Sequence, residues 1–332
     1  MSDLSTAREI YDELVRPTAP GCYSAMQIPW ALPYRVAVNA GGRPCLLIDT
    51  ESSSDIIKLP DTVGEHIEIR HGRQCEIIEK NGTRWSGAFT IVTCLSDDEL
   101  LHGYFLDVAD TLIHVLGTEP TESQLRHVIA GLMELFRALG VPARKAARGV
   151  WAELFVAASA REPVLVLRAW HPTYTEPFDF SEGAQRIEVK SSSDHTRRHH
   201  FKLEQLSPPT GTQVLVASVF VSPLARGCSI RDLAYELKND ASQELELQSR
   251  IDRVISEALG ETLINSIDLQ FDRELAADSL AFYPHDSIPA VREVPDEVSS
   301  VSFISDLTRC ARISEQVMDT LGALFSAVRP SY

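Results

Sequence analysis

The sequence predicts an α+β protein in three parts: a β-rich amino-terminal region over residues 1–118, a central α/β core over 119–225, and a helical, then mixed, carboxy-terminal region over 226–332. Three observations predict it. Short Val- and Ile-bearing runs, punctuated by Gly, Asn and Asp, fill much of the first third. At Glu122 the apolar spacing changes from strand-like to helical, with Leu125, Val128, Ile129, Leu132, Leu135, Phe136 and Leu139 on one face. Beyond Lys145 the pattern runs helix, three strands, helix, strand, an order that builds a mixed sheet flanked by helices.

Taken in order, a short opening helix precedes YRVAVNAG, RPCLLIDT, HIEIRHG, CEIIEKNG and AFTIVTCL, which predict an antiparallel sheet. Thr121 or Ser123 caps the helix that follows, and Gly140 and Pro142 end it. KAARGVWAELFVAASA predicts a second helix; PVLVLRAW, FDFSEG and RIEVKSS predict three strands; HHFKLEQL predicts a helix and TQVLVASVFVS a buried strand. A Ser- and Asp-punctuated helical segment then runs from Pro223 to about Leu259. Trp151 and Phe155 belong to the core. At 332 residues the chain exceeds a single-core domain, so two or three compact units are expected.

Apolar content of 44% and charged content of 23% describe a globular chain able to bury a core. No apolar run approaches the ~18 residues that cross a bilayer, and MSDLSTAREIYDELV lacks the order of a secretory signal, so a cytoplasmic protein is expected. Its six cysteines are scattered without a C-x-x-C pair, which predicts reduced thiols and no zinc site of that type. No Walker-type loop is present, which argues against ATP hydrolysis by this chain.

The net charge of -16 excludes a protein that coats nucleic acid by bulk attraction. A nucleic-acid role must rest on local patches, and two exist: Arg137, Arg144, Lys145 and Arg148, then Arg186, Lys190, Arg197, Arg198 and Lys202. The acid-rich segment from Tyr235 to Glu257 predicts a solvated helical face or a protein contact.

The stretch RIEVKSSSDHTRRHHFKLEQL carries the chemistry. Its plainer interpretation is a solvated edge strand with a polar turn. Alternation along the strand, however, sets Glu188 and Lys190 on one face and Ile187 and Val189 on the other. If the strand pairs as a hairpin with FDFS, Asp179 stands beside Glu188. Two adjacent carboxylates need a cation between them or a shared proton. A hard ion such as Mg²⁺ suits their oxygens together with the backbone carbonyl of Val189, and Glu153 in WAELF adds an acid if its helix packs toward the hairpin. Lys190 then orients an attacking water and stabilises charge on a phosphate.

Arg197, Arg198 and Lys202 suit phosphate oxygens, as does a solvated turn; His199 or His200 suits a phosphate contact or proton transfer. His195 and His199 have the spacing of a helical zinc pair, but no third ligand completes it. Ser191, Ser192 and Ser193 fit either a phosphate contact or a polar strand end.

A helix acid, Asp179 and the Glu188-Val189-Lys190 tripeptide, in the string GVWAELF…FDFS…RIEVKSSS…HHFKLEQL, resemble the PD-(D/E)XK nuclease superfamily, and in particular a bacterial group of PD-(D/E)XK motif proteins. Phe178 stands where the superfamily pattern has proline, with Pro177 one place earlier. The resemblance implies a restriction-endonuclease-like core and a Mg²⁺-dependent DNA endonuclease, with Mn²⁺ able to substitute. It implies that Asp179 and Glu188 bind the ion, that Lys190 assists the water, that Glu153 positions ion or water, and that Gln205 contacts the site or the DNA, although a surface glutamine fits that position equally well. It also implies a place in a bacterial restriction-modification or anti-phage defence cassette, with methyltransferase and ATPase or translocase partners, and a homodimer where duplexes are cut. The alternative is a non-catalytic adaptor of such a complex that keeps the nuclease fold.

Overall fold

A computed structural model describes residues 6–49, 60–118, 120–143, 145–171, 177–194, 196–295 and 297–330; Arg144 and His195 lie outside them. The chain divides into two compact units: residues 1–143 with 248–264, and residues 144–247 with 265–332.

The first unit opens with α1 (Ala7–Asp12), capped reciprocally by Thr6 and Glu9. It continues through β1 (Cys22–Gln27), β2 (Tyr34–Asn39), β3 (Pro44–Asp49), β4 (Thr62–Val63), β5 (Ile67–Ile78) and β6 (Arg84–Cys94). The order is β1-β2-β3-β6-β5-β4, and a parallel pairing of β1 with β5 closes the first five into a barrel. Period-two alternation sends Ala25, Ala37, Cys45, Leu47, Cys75, Ile77, Phe89 and Ile91 into one shared core. Closure also uses the edges that an open sheet would expose.

The strand-rich reading ends at Cys94, not near residue 118. Glu99–Leu116 forms an 18-residue helix, α2, with Asp98 as its cap, burying Leu101, Phe105, Val108 and Ile113. Leu101, Phe105, Ala109 and Ile113 recur at the helical i, i+4 spacing, and the helix packs on β3, β6 and α3 (Glu122–Ala138). Thr121 and Gln124 form the capping box of α3.

The second unit starts with α4 (Ala147–Ala158), in which every residue from Val150 to Ala157 is buried. A helix covered on all sides needs no polar face. It packs on α7 (Ile230–Asp240) and β8 (Gln185–Ser192). PVLVLRAW forms helix α5 (Pro163–Ala169), not the predicted strand. Pro163 enters the first turn, where its missing N–H costs nothing, and an apolar run this short carries no period that separates the two states.

β7 (Phe180–Glu182) and β8 form the expected hairpin, turning at Gly183 with φ +53, a left-handed conformation that a side chain would strain. β8 runs parallel to β10 (Gln213–Phe220), and β13 (Ala281–Pro284) completes a mixed sheet of order β13-β10-β8-β7. The fold class is therefore α+β with a mixed sheet and flanking helices.

HHFKLEQL is a second correction. It forms β9 (Arg198–Lys202) followed by the one-turn helix α6 (Leu203–Leu206). His199 and Phe201 are buried while Arg198, His200 and Lys202 face outward, and β14 (Ser302–Asp306) pairs with the strand across 100 residues of sequence. The remaining elements are β11 (Pro223–Ser229), where a helical segment was expected to begin, α8 (Leu245–Leu259), α9 (Leu263–Ser266), β12 (Gln270–Phe271), α10 (Arg273–Ser279), α11 (Glu315–Leu321) and α12 (Ala323–Ala327). Among the described residues no helix is long and apolar enough to cross a membrane.

Candidate active site

The site lies wholly within the second unit. Glu153 is set at the middle of the enclosed helix α4 and is 4% exposed. Such a carboxylate must be paired. Its Oε1 accepts from Lys145 Nζ at 2.5 Å, and its Oε2 accepts from Trp170 Nε1 at 3.0 Å and lies 3.0 Å from His171 Nε2. Burial alone raises the Glu153 carboxyl, but the Lys145 ammonium and His171 outweigh it and hold the group well below the usual carboxylate range.

Asp179 ends the segment entering β7. Its Oδ1 accepts from the same Lys145 ammonium at 2.6 Å, and its Oδ2 accepts from the Val189 N–H at 2.8 Å. That last bond crosses the hairpin and draws Asp179 toward Glu188. The contact Val189 makes to the cluster is thus through its N–H; its carbonyl was the atom expected to take part.

His171 has φ +40, a left-handed backbone uncommon for a side-chain-bearing residue. The strain is held in place by its N–H on the Asp179 carbonyl at 3.0 Å and by the bridge between Trp170 and Phe180. One donor atom each from Glu153, His171 and Asp179 lies within 4.8 Å of the others, a spacing that fits a metal ion.

Glu188 and Lys190 project from one face of β8, as alternation requires. Glu188 Oε1 accepts from Lys190 Nζ at 2.8 Å and from Gln205 Nε2 at 2.6 Å. Gln205 Oε1 in turn accepts from Lys190 Nζ at 3.1 Å and from the Lys202 N–H at 3.0 Å, so the one-turn α6 clamps both charged groups. Lys190 Nζ also stands 5.0 Å above the Phe201 ring. Glu188 Oε2 is buried and has no hydrogen-bond partner among the described residues. Burial and then the adjacent Asp179 charge push the Glu188 carboxyl up to about 8 against the pull of Lys190. A buried oxygen left bare beside a second carboxylate fits a cation, and the Glu153, His171 and Asp179 donors form a set that suits a divalent ion.

The structure thus brings together Glu153, Asp179, Glu188, Lys190 and Gln205. Sequence reasoning missed two members. Lys145 was noted only as part of a basic run, although it precedes α4 and falls eight residues before Glu153; His171 left no periodic signal at all.

Two proposed phosphate contacts are corrected. Arg197 is buried, donating to the Ser218 carbonyl at 2.9 Å, to Ser218 Oγ at 2.8 Å and to the Ser279 carbonyl, with its guanidinium 4.7 Å over Phe220. His199 is buried with Nε2 2.8 Å from the same Ser218 Oγ. Both hold β9 against β10 and face away from solvent. Arg198 and Lys202 are exposed on the other face of β9, as alternation dictates. His199 on a strand also removes the helical zinc pair.

Burial, reinforced by Lys190 and Arg197, depresses the His199 imidazole from 6.5 to about 4, against smaller contributions from Asp194 and Asp306. Unfolding restores its ordinary affinity, so the unfolded chain binds the extra proton between these values and stability falls as pH falls through that window. Above 6.5 the contribution is complete. Urea melts at about pH 7.5 and about pH 5 are expected to show a smaller acid loss for His199→Gln than for the wild type. Equal losses would remove His199 as a source of the slope.

A family model described as "Putative PD-(D/E)XK family member, (DUF4420)" matches residues 7–308 of the 332-residue chain. No curated protein and no solved structure matches it.

Proposed function

Because the chain belongs to this PD-(D/E)XK family, we propose that it is a nuclease that hydrolyses DNA phosphodiester bonds with the help of Mg²⁺, or of Mn²⁺ in its place. One observation carries the reading: buried Glu153, Asp179 and Glu188 and half-buried Lys190, spread over 38 positions, are gathered around the β7–β8 hairpin with Glu188 Oε2 bare. Glu153, His171, Asp179 and Glu188 would hold the ion. When bound, it supplies positive charge that offsets phosphate repulsion and lowers the pKa of water.

The chain's own groups do the rest. Gln205 and Glu188 hold the Lys190 ammonium over Phe201, where it can orient an attacking water and donate to the phosphoryl oxygen as charge develops. The Val189 N–H fixes Asp179, and Trp170 Nε1 fixes Glu153, so neither carboxylate reorganises on binding. Arg198 and Lys202, outward on β9, are available to phosphates of a strand entering the site.

With a net charge of -16, delivery to DNA falls to partners, and a defence cassette with a methyltransferase and an ATPase or translocase fits that need. Purified protein, alone and with the products of neighbouring genes, is to be incubated with plasmid, linear duplex, single-stranded DNA and RNA in Mg²⁺, Mn²⁺ or EDTA. DNA cleavage with either ion and none in EDTA is the expected result. Cleavage of RNA only would overturn the substrate, and no cleavage in any mixture would leave the adaptor role.

His171 supplies a nitrogen ligand, which Mn²⁺ accepts more readily than Mg²⁺ does. Mn²⁺ is expected to bind more tightly by titration calorimetry, and His171→Ala to narrow the gap between the two ions. Equal narrowing in a His200→Ala control would argue against ligation by His171.

A further inference from the structure

Lys145 poses a separate question. Its Nζ lies 2.5 Å from Glu153 Oε1, 2.6 Å from Asp179 Oδ1 and 3.3 Å from His171 Nε2. These are the same three residues whose donor atoms cluster within 4.8 Å, so the ammonium stands among the atoms that fit a metal ion. Two cations do not share so small a space. The Lys145 side chain is 32% exposed, whereas Glu153 and Asp179 are 5% and 8% exposed, so this side chain reaches solvent along part of its length and the carboxylates do not. Its backbone precedes α4 and is outside the helix ladder. Lys190 differs on each count: it is half as exposed, clamped by Glu188 and Gln205, and makes no hydrogen bond to Glu153, His171 or Asp179.

We propose that Lys145 and the divalent ion are alternative occupants of one carboxylate pocket, so that loading the ion expels the Lys145 ammonium to the surface of the site. The inference rests on the metal-dependent reading above and adds a device to it. Lys145 offsets part of the charge of the two buried carboxylates before loading, and the ion must displace it to bind. Loading then frees a positive charge at the mouth of the site, where an incoming phosphate meets it. The site would attract its substrate most strongly once the ion is in place.

The test uses the full chain and Mn²⁺ alone. Acylation of lysines by an amine-selective reagent, read residue by residue by mass spectrometry, is expected to rise several-fold at Lys145 on adding Mn²⁺, and not at Lys190. Free-Mn²⁺ spectroscopy is expected to show about ten-fold tighter binding by Lys145→Met than by the wild type, roughly the effect of removing one competing charge. Labelling uses the wild type, so it stands even if the variant fails to fold. Mn²⁺ binding with unchanged or reduced labelling at Lys145 would overturn the exchange and leave the metal site intact, even if Lys145→Met bound more tightly. No Mn²⁺ binding by either protein would overturn both.

Discussion

Lys190→Ala is expected to lower DNA cleavage by about 10²-fold or more while leaving the thermal melt of the protein nearly unchanged. The ammonium is tied to both Glu188 and Gln205 and lies over an aromatic face, at 2.8, 3.1 and 5.0 Å. Removing it takes away the donor proposed to meet charge developing on phosphate, where a preorganised hydrogen bond acts most strongly. It also removes the Lys190 pull on Glu188 and leaves the Lys145 charge to act against burial and Asp179, so its carboxyl rises further. Divalent-ion binding, which rests on other residues, is expected to persist, separating a chemical defect from a binding defect. Arg198→Ala serves as the contrast, since an exposed phosphate contact changes substrate affinity and salt dependence more than turnover. Lys190→Ala with wild-type turnover would remove this lysine from the reaction.

The largest stability effect is expected at Trp151→Ala, a loss of about 3–5 kcal/mol in urea unfolding. Trp151 is fully buried in α4, its ring stacked on Phe155 at 5.2 Å and tilted against Phe271 at 5.4 Å. Its Nε1 donates to the Cys228 carbonyl at 2.8 Å, tying α4 to the end of β11. Alanine there leaves a cavity and an unpaired carbonyl together. Trp151→Phe refills most of the volume and is expected to cost about 1–3 kcal/mol, most of it from the orphaned acceptor. Glu153 lies two residues further along the same helix, so activity should fall with the folded fraction and not beyond it. A Trp151→Ala loss under about 1 kcal/mol would mean that the helix repacks around the gap.

How far the sequence reached can be seen from individual groups. The Glu188-Val189-Lys190 alternation set two charges on one strand face, because side-chain period in a strand is a local property of the backbone. The predicted hairpin brought Asp179 beside Glu188, whereas the sequence offered Glu153 only on condition that its helix packs toward that hairpin, and the enclosure of the helix came from the structure. The amphipathic pattern of α3 and the buried run of β10 were equally legible. The closed barrel of the first unit was not, since β1 and β5 meet in parallel across some 50 residues and no local pattern encodes that pairing.

What the sequence determined alone was therefore the face of the strand that carries Glu188 and Lys190, its hairpin with the segment of Asp179, and the α+β class, the strand and helix patterns being written in spacings of two to four residues. The tertiary structure alone decided that Lys145 and His171 join the cluster, that Arg197 and His199 turn inward onto Ser218, and that Gln205 clamps Lys190. It also decided that the apolar run after Pro163 coils and that the histidines after residue 198 lie on a strand, through partners far away in the chain. The physical reason is common to all of these. Charge pairing, burial and strand partnership depend on which distant groups arrive in the same few ångströms, and single-residue propensities are too weak to fix that in advance.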